Sequence, residues 1–431
     1  MKFNIKEVGA GFYIKNRERL YKLLPPRSTV IIHNPPPANA TADLHYEPYE
    51  PDRNLFYLTG LDLPNIYVLL CPDYPDEQKR EIIFYDEPTE VQRVWEGEGL
   101  YFEDVKEISG VPTVLPTSEF RAILQQIMFH SQYVFLNLNE NERYIPSVND
   151  ADRLFASQLK NLYPAHEFRR LAPILAFLRN EKQPREIEFI KKAVDITRKV
   201  FLDLLPNLRQ FNNEAEVEGF ITGSIIAYGG RNAFPPIVAG GKNATVLHYS
   251  DNNKPLNPQE LLLLDFGAQY LYWNADMTRV VPYGGNFSPR QKEVYNAVLK
   301  VQKELISFIK PGLTIAEIQA EAQKLTAYAL VDLKLMDKNR LRDKKDYLPI
   351  VRRYFPHGFG HFIGLDVHEQ GYRYEPLRPS SYITCEPGIY IREEGIGVRL
   401  ENDLIITETG VVDLMENVPI EPEEIEDLIN S

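Results

Sequence analysis

The first 170 residues carry short apolar runs separated by polar and proline-rich loops. These runs have the length of buried strands, and they fall at residues 30–32, 66–71, 82–85 and 133–138. Residues 118–128 have instead the pattern of a helix. Because strands alternate with helical segments, we predict a sheet covered by helices in this part of the chain.

The hydrophobic pattern changes near residues 171–185, of which residues 178–185 form a charged hinge that contains a proline. Beginning with Ile187 and Ile190, apolar residues recur at the spacing of one helix face, with charged residues between them. We therefore place a domain boundary at about residue 172, which divides the chain into residues 1–172 and 173–431.

Long helices and hairpin strands are predicted to alternate in the second part. The predicted helices lie at residues 186–205, 213–228, 289–309 and 315–335. The predicted strands lie at residues 261–266, 274–281, 383–391 and 398–407. The charge-dense segment at residues 337–347 is interpreted as a solvated loop.

Composition narrows the class of protein. Hydrophobic residues make up 44% and charged residues 25% of the chain, as in a globular protein with a full core. The two cysteines, Cys71 and Cys385, are too few for a disulfide framework and favour a reducing compartment.

The net charge of −13, without a basic patch, argues against nucleic-acid binding. Residues 1–25 lack the apolar stretch of a signal peptide, and no apolar run could span a membrane, so we expect a cytoplasmic protein without a membrane partner.

Two acidic residues flank the first predicted hairpin of the second part. Asp265 ends an apolar run, and Asp276 lies in the returning strand. If Tyr270 and Leu271 form a two-residue turn, the two carboxylates are directly opposite each other on one face, with Cβ atoms about 5 Å apart. This pairing is a geometric hypothesis.

A second hairpin repeats the construction with Glu386 and Glu401, which are opposite each other if the turn is centred on Glu393 and Glu394. Two such hairpins could supply four carboxylates to one site. Like charges that lie close together raise each other's pKa strongly. The carboxylates are therefore either far apart and solvated, or they surround cations, and two divalent ions would cancel four negative charges.

Histidines are concentrated in one glycine-rich segment, residues 356–369. Three of the eight histidines of the chain, namely His357, His361 and His368, fall within twelve residues. The glycines between them make a regular helix improbable and predict tight turns with close backbone approach. His248, by contrast, reads on its own as an ordinary half-buried strand histidine.

Taken in order, these residues resemble a known family. The set is Asp265, Asp276, His361 within His-Gly-Phe-Gly-His, Glu386 within Glu-Pro-Gly-Ile-Tyr, and Glu401 within Val-Arg-Leu-Glu-Asn-Asp. It is similar to that of the metallopeptidases with the "pita-bread" fold, which include Xaa-Pro aminopeptidases, prolidases, methionine aminopeptidases and the metal-free creatinases. The likeness covers about residues 178–410.

Residues 50–60 resemble the N-terminal domain of the aminopeptidase P and prolidase branch, which methionine aminopeptidases lack. The resemblance implies an α/β (α+β) fold class. An N-terminal α/β domain would be followed by a pita-bread catalytic domain, in which helices cover a curved antiparallel sheet.

The resemblance also implies a ligand set for two divalent ions. Asp265 would chelate one ion, Asp276 and Glu401 would bridge both, and His361 and Glu386 would complete the second. An oxygen-rich set with one imidazole suits manganese first, with cobalt or zinc as alternatives. Bridging carboxylates imply ions about 3.5–4 Å apart, with an activated water between them as the nucleophile.

Further residues receive roles from the same resemblance. Glu386 is placed as the general base. His357, His368 and His248 would line the substrate cleft, and one of the first two could donate a hydrogen bond to the tetrahedral intermediate. Arg399 would orient the ligands and hold the local negative charge.

The activity implied is that of an Xaa-Pro aminopeptidase, which releases the first residue of peptides whose second residue is proline. The alternative is a prolidase that acts on Xaa-Pro dipeptides. A non-catalytic peptide-binding or protein-binding member of the fold, or a creatinase-type hydrolase, is disfavoured because such proteins lack the metal ligands. By analogy with the family we expect a homo-oligomer, a dimer or a tetramer. Tyr390 and Thr278 could support the site or could simply pack in their strands.

Overall fold

The computed structural model describes residues 3–37, 39–42, 44–45, 49–141 and 150–431. The chain forms two compact units, Met1–Arg179 and Asn180–Ser431. The boundary that the sequence suggests, residue 172, coincides with the first residue of the last helix of the first unit.

The first unit contains one mixed sheet of six strands. Its helices are α1 (Ala10–Tyr21), α2 (Arg53–Thr59), α3 (Glu90–Glu96), α4 (Phe102–Ser109), α5 (Phe120–His130), α6 (Ala151–Leu162) and α7 (Ala172–Arg179). Its strands are β1 (Ser28–Asn34), β2 (Asn39–Thr41), β3 (Leu44–His45), β4 (Ile66–Leu70), β5 (Glu81–Phe84), β6 (Thr113–Leu115), β7 (Tyr133–Leu136) and β8 (Glu167–Arg170). The strand order is β6-β5-β4-β1-β7-β8, and the short pair β2-β3 lies apart from this sheet.

The apolar runs of the sequence form the middle of this sheet, as predicted. Strand β1 pairs with β4 in antiparallel and with β7 in parallel orientation. Side chains of these strands pack against α5 and α6, with Ile31, Leu69 and Val134 on the sheet and Leu124 and Leu159 on the helices. The runs are continuously apolar because the central strands are buried along nearly their whole length.

The second unit is built from antiparallel hairpins and helices. Its helices are α8 (Pro184–Leu204), α9 (Glu214–Ala227), α10 (Pro289–Phe308), α11 (Ile315–Asp332), α12 (Lys344–Tyr354) and α13 (Pro422–Asn430). Its strands are β9 (Arg231–Asn232), β10 (Ile237–Gly240), β11 (Leu261–Phe266), β12 (Ala268–Tyr270), β13 (Trp273–Asn274), β14 (Met277–Pro282), β15 (Tyr382–Cys385), β16 (Gly388–Ile391), β17 (Ile396–Arg399), β18 (Asn402–Ile406) and β19 (Val411–Asp413). They form the groups β10-β11-β14, β13-β12-β9, β15-β18-β19 and β16-β17. The predicted fold class is confirmed.

Two of the long helices begin with reciprocal side-chain caps. At α10 the hydroxyl of Ser288 accepts from the backbone N–H of Gln291, whose side chain accepts from the N–H of Ser288. At α11 Thr314 and Glu317 form the same arrangement. Both pairs satisfy backbone donors that a helix start leaves without partners, and the helices begin where the sequence predicts.

The predicted loop at residues 337–347 is wrong in part. A short 3-10 helix covers Lys338–Arg342, and α12 begins at Lys344. Asp343 caps α12 by accepting from the N–H of Lys345, and Val351 and Tyr354 supply its buried face. The dense charges conceal the helix in the sequence because most of them lie on its solvated side.

The turn of the hairpin that carries Asp265 and Asp276 lies one residue later than predicted. Tyr270 pairs with Trp273, so the turn consists of Leu271 and Tyr272, which have φ values of 48° and 74°. These are the positive values of a type I′ turn, which normally carries asparagine and glycine. The usual sequence signal is missing because both residues are buried, and their burial offsets the backbone cost.

The shifted turn moves the strand register by two residues. Asp265 therefore lies opposite Thr278 and not opposite Asp276, so the predicted direct pairing is wrong. Side chains alternate with a period of two along a strand, and Asp276 consequently keeps the face of Asp265 at a diagonal position. The two carboxylates still point to one side of the sheet.

The register predicted for the second hairpin is confirmed. Cys385 pairs with Asn402 in one ladder, and the same register continues in β16 and β17. In this register Glu386 lies opposite Glu401, in the short gap between the pair β15-β18 and the pair β16-β17. The loop at Arg392–Gly395, with its two glutamates in the centre, has the predicted position.

Gly267 allows the two strands of the first hairpin to approach closely. A Cβ atom at this position would lie 1.7 Å from the carbonyl oxygen of Ala275, next to Asp276. We expect Gly267→Ala to lower the free energy of unfolding by about 1–3 kcal/mol, because the obstructing atom belongs to the backbone. Chemical denaturation of the parent and the variant measures the difference.

The matched control is Gly223→Ala on α9, where an added Cβ meets nothing within 4 Å. Alanine in an exposed helix should raise the free energy of unfolding by about 0.5–1 kcal/mol. Equal effects of the two substitutions would contradict the close approach at Gly267.

Candidate metal centre

Three buried side chains from separate segments converge in the second unit. Asp276 precedes β14, His361 lies in the turn-rich segment after α12, and Glu401 lies between β17 and β18. One potential ligand atom of each lies within 4.8 Å of the others, and all three side chains are buried. The structure thus brings together three of the five residues that the sequence singles out as ligands.

The other two predicted ligands border this group. Glu386 Oε1 is 3.8 Å from His361 Nε2. Asp265 shares a sheet face with Asp276, and its Oδ2 accepts a hydrogen bond of 2.5 Å from Arg399 Nη2. All five residues therefore surround one small volume.

The hydrogen bonds of His361 define which nitrogen faces the acidic group. Its Nδ1 lies 3.0 Å from the carbonyl oxygen of Phe362, which can only accept, so Nδ1 carries the proton. The lone pair of Nε2 then points toward Asp276 Oδ2 at 3.5 Å. The backbone N–H of His361 donates to Thr384 Oγ1 and fixes the segment against β15. This is the orientation of a metal-binding imidazole.

Burial and the closeness of like charges make the carboxyl groups of Asp276 and Glu401 difficult to ionise. Burial, and then the neighbouring carboxylate Asp265, raise the pKa of Asp276 well above its usual range. Burial and the proximity of Asp276 do the same for the pKa of Glu401. Two oxygens of the group, Asp265 Oδ1 and Asp276 Oδ1, are buried without a hydrogen-bond partner. Such orphaned acceptors fit divalent cations, which would satisfy them and hold the carboxylates ionised.

Arg399 connects the two hairpins beneath this group. Besides Asp265, its guanidinium donates from Nε to Thr278 Oγ1 and from Nη1 to the hydroxyl of Tyr390, each at 3.0 Å. Thr278 in turn donates to Glu401 Oε2 at 2.7 Å. The sequence left supporting and packing roles open for Thr278 and Tyr390. Thr278 holds Glu401 directly, and Tyr390 acts on the acidic residues through Arg399.

Two further residues support the site, and the sequence analysis missed both. Asp403 Oδ2 accepts from the backbone N–H of Asp276 at 3.0 Å, and burial raises the pKa of Asp403 to about 8. Arg279 donates from Nη1 to the carbonyl oxygens of Thr278 and Glu401. Both residues could have been identified in the sequence, because they are charged and lie within apolar strands that are otherwise buried.

Comparison with known proteins assigns this arrangement to a family. The model of metallopeptidase family M24 matches residues 188–408, which include all five acidic and histidine positions. The model of the aminopeptidase P N-terminal domain matches residues 13–135. The chain belongs to metallopeptidase family M24. With both models matched, it falls in the aminopeptidase P branch of that family.

Individual relatives match this chain over nearly its whole length. The Xaa-Pro aminopeptidase of Haemophilus influenzae is 31% identical over 96% of both chains. Intermediate cleaving peptidase 55 of Arabidopsis thaliana, a mitochondrial protein, is 30% identical over 97% of this chain and 83% of its own. The structure of Escherichia coli aminopeptidase P with the inhibitor Pro-Leu superposes with a TM-score of 0.87 at 28% identity, over 98% of each chain.

The M24 assignment makes the chain a hydrolase of the metallopeptidase class, for which divalent ions are the cofactor. Within the described ranges, no helix combines the length and apolarity that a membrane span requires.

The other three histidines that the sequence analysis assigned to the site differ in their surroundings. His248 lies in a turn after a short 3-10 helix and is exposed, so the prediction of a half-buried strand position is wrong. His368 is also exposed, and its ring centroid is 4.5 Å from that of His361. His357 lies beside Glu386, with 3.7 Å between Nδ1 and Oε2.

Both ring nitrogens of His357 are already engaged. Nδ1 lies 2.8 Å from the carbonyl oxygen of Gly358, and Nε2 lies 2.8 Å from the hydroxyl of Tyr390. Burial, followed by the charge of Arg399, lowers the pKa of His357 to about 3 and keeps the ring neutral. Its predicted hydrogen bond to an intermediate would therefore require one of these two bonds to break.

The Thr278 hydroxyl can be tested with an isosteric substitution. Thr278→Val removes the donor to Glu401 and the acceptor for Arg399. We expect the affinity for Mn²⁺ to fall about 10–100-fold, as for other outer partners of metal ligands. Calorimetric titration of metal-stripped protein with Mn²⁺ measures it.

Thr326→Val on α11 is the matched control. Thr326 is buried as well, but its hydroxyl donates only to the carbonyl oxygen of Ala322 in its own helix. Equal Mn²⁺ affinities of the Thr278 variant and the parent would refute the supporting role.

The buried carboxyl of Asp403 should make the metal-stripped protein less stable as the pH rises. Its pKa is about 8 in the folded chain against an ordinary 3.8, so only the unfolded chain releases this proton at intermediate pH. Between pH 6.5 and about 8, a window above the titration of His357, Asp403 should lower the free energy of unfolding by up to about 1.4 kcal/mol per pH unit, in addition to the contributions of Asp276 and Glu401, whose pKa values are raised as well.

Denaturation of stripped protein across this window provides the measurement. Asp403→Asn should show a shallower slope, because the amide does not titrate. A slope as steep as that of the parent would mean that Asp403 is ionised in the folded chain.

Proposed function

We propose that this chain is a metal-dependent Xaa-Pro aminopeptidase. The observation that carries the proposal is the buried group of Asp276, His361 and Glu401, in a chain that has the aminopeptidase P N-terminal domain as well. Full-length relatives named Xaa-Pro aminopeptidase favour this activity over that of a prolidase. Proline-containing peptides are the substrates.

Five residues would hold two divalent ions, namely Asp265, Asp276, His361, Glu386 and Glu401. Manganese is our first choice, because four carboxylates and one imidazole form a hard, oxygen-rich set. When bound, such ions activate a water as nucleophile and polarise the scissile carbonyl group. The ions would also compensate the charge that raises the pKa values of Asp276 and Glu401.

Glu386 is the proposed general base. Its two oxygens face His361 Nε2 at 3.8 Å and His357 Nδ1 at 3.7 Å. It is also the most exposed of the four carboxylates, with 18% of its side chain accessible against 12% for Asp265 and 7% for Asp276. Glu386 can therefore accept the proton of an attacking water and pass it to the leaving amine.

The bonds around His357 give it a positioning role. Arg399 donates to the hydroxyl of Tyr390, which can then donate only to His357 Nε2. The ring proton is thereby held on Nδ1, next to Glu386 and away from Arg399. His368 and His248, which are both exposed, are the proposed contacts for the peptide.

The preference for proline has a physical reason. An Xaa-Pro bond is a tertiary amide without an N–H, and the ring fixes φ. Peptidases that bind their substrate as an added strand need this N–H, whereas a site that holds the carbonyl group on an ion does not.

The proposal also includes a cytoplasmic location and a homo-oligomeric state. One relative, by contrast, is named as mitochondrial.

The test compares a matched pair of substrates. Metal-stripped protein reloaded with Mn²⁺ is incubated with an Xaa-Pro-Yaa tripeptide and with the Xaa-Pro dipeptide, and release of the first residue is measured. We expect the tripeptide to be cleaved at least as fast as the dipeptide. Glu386→Ala should lower kcat by about 100-fold or more, since general bases contribute factors of this order.

Cleavage of the dipeptide alone would make the protein a prolidase. If neither peptide is cleaved with Mn²⁺, Co²⁺ or Zn²⁺, the enzymatic proposal fails and a peptide-binding role takes its place.

A further inference from the structure

A second group of potential metal ligands lies in the first unit, outside the M24 domain. Cys71 directly follows β4, Asp73 lies in the turn after it, and His130 is the last residue of α5. One ligand atom of each lies within 4.8 Å of the others. The three side chains thus come from the end of a strand and the end of a helix that are distant in the sequence.

Backbone and side-chain contacts hold this group in position. The N–H of Arg27 donates to Asp73 Oδ2 at 2.6 Å, and Arg27 Nε donates to the carbonyl oxygen of His130 at 2.9 Å. The ring of Tyr74 packs edge-on against the imidazole of His130. Asp73 Oδ1 is left facing His130 Nε2 at 3.7 Å.

His130 Nε2 is the unexplained atom of the group. It is buried and has no hydrogen-bond partner, because 3.7 Å to Asp73 is too long for a hydrogen bond. A buried polar atom in this state costs free energy unless an ion or a water satisfies it. The carboxylate of Asp73 and the thiol of Cys71, which belong to the same group, are themselves potential metal ligands.

We propose that Cys71, Asp73 and His130 form a zinc-type metal site. A thiolate, an imidazole and a carboxylate are the donors that Zn²⁺ prefers, and three protein ligands leave the fourth tetrahedral position to water. The thiolate and the carboxylate together cancel the charge of a divalent ion. Binding would release one proton from the Cys71 thiol.

The surroundings are compatible with exchange of the ion. The side chains of Asp73 and His130 are 40% and 27% exposed, whereas Cys71 is buried. An ion could therefore reach the group from solvent. Once bound, it would link the end of β4 to the end of α5 and stabilise the first unit.

The test is a titration of metal-stripped, full-length protein with Co²⁺, which replaces zinc and gives a charge-transfer absorption when bound to a thiolate. None of the five catalytic ligands is a thiol, so this band is specific for a cysteine site. The chain offers a matched control, because Cys385 is its other cysteine and is also buried. The parent and Cys385→Ser should develop the band, and Cys71→Ser should not.

Asp73→Asn and His130→Gln test the other two ligands at partly exposed positions, where loss of folding is not expected. Each should weaken the Co²⁺ affinity read from the band by at least about tenfold, since even outer partners of ligands contribute that much. The proposal is overturned if the parent shows no band at saturating Co²⁺, or if the band survives in Cys71→Ser. Unchanged affinity in both Asp73→Asn and His130→Gln would overturn it as well.

Discussion

The catalytic unit depends on keeping negative charge buried between two hairpins. Asp276 and Glu401 are buried side by side, with Asp265 and Asp403 close to them. Buried like charges cost several kcal/mol each unless they are compensated. Arg399 supplies one compensating charge, backbone and hydroxyl donors supply partial ones, and divalent ions would supply the remainder.

The sequence predicted the carboxylate arrangement well because strands repeat every two residues. The first turn was misplaced by one residue, and this moved the register by two. The shift exchanged the direct partner of Asp265 but left Asp276 on the same face. An error of one residue in register would have pointed Asp276 away from the site. The second hairpin was located correctly because its charged loop is four residues long and its flanking strands are clearly apolar.

The contacts that orient the ligands could not be predicted in the same way. Arg399 and Asp265 are separated by 134 positions, and Asp403 and Asp276 by 127. Local pattern carries no information about such partners, since it reports only which face a side chain occupies. For the same reason the sequence could not show that both nitrogens of His357 are engaged, or that His248 lies in an exposed turn.

The hydrogen bonds of Arg399 limit how early during synthesis the site can assemble. Its guanidinium holds Asp265 and Thr278 of the first hairpin, and it reaches Tyr390 within the second. During synthesis the first hairpin leaves the ribosome more than a hundred residues ahead of its partner. Until then the carboxylates of the first hairpin lack both the guanidinium of Arg399 and the imidazole of His361. The nascent chain therefore has only part of the site. With the proposed ligand set, binding of both ions would have to follow translation of Glu401 and closure of the hairpins.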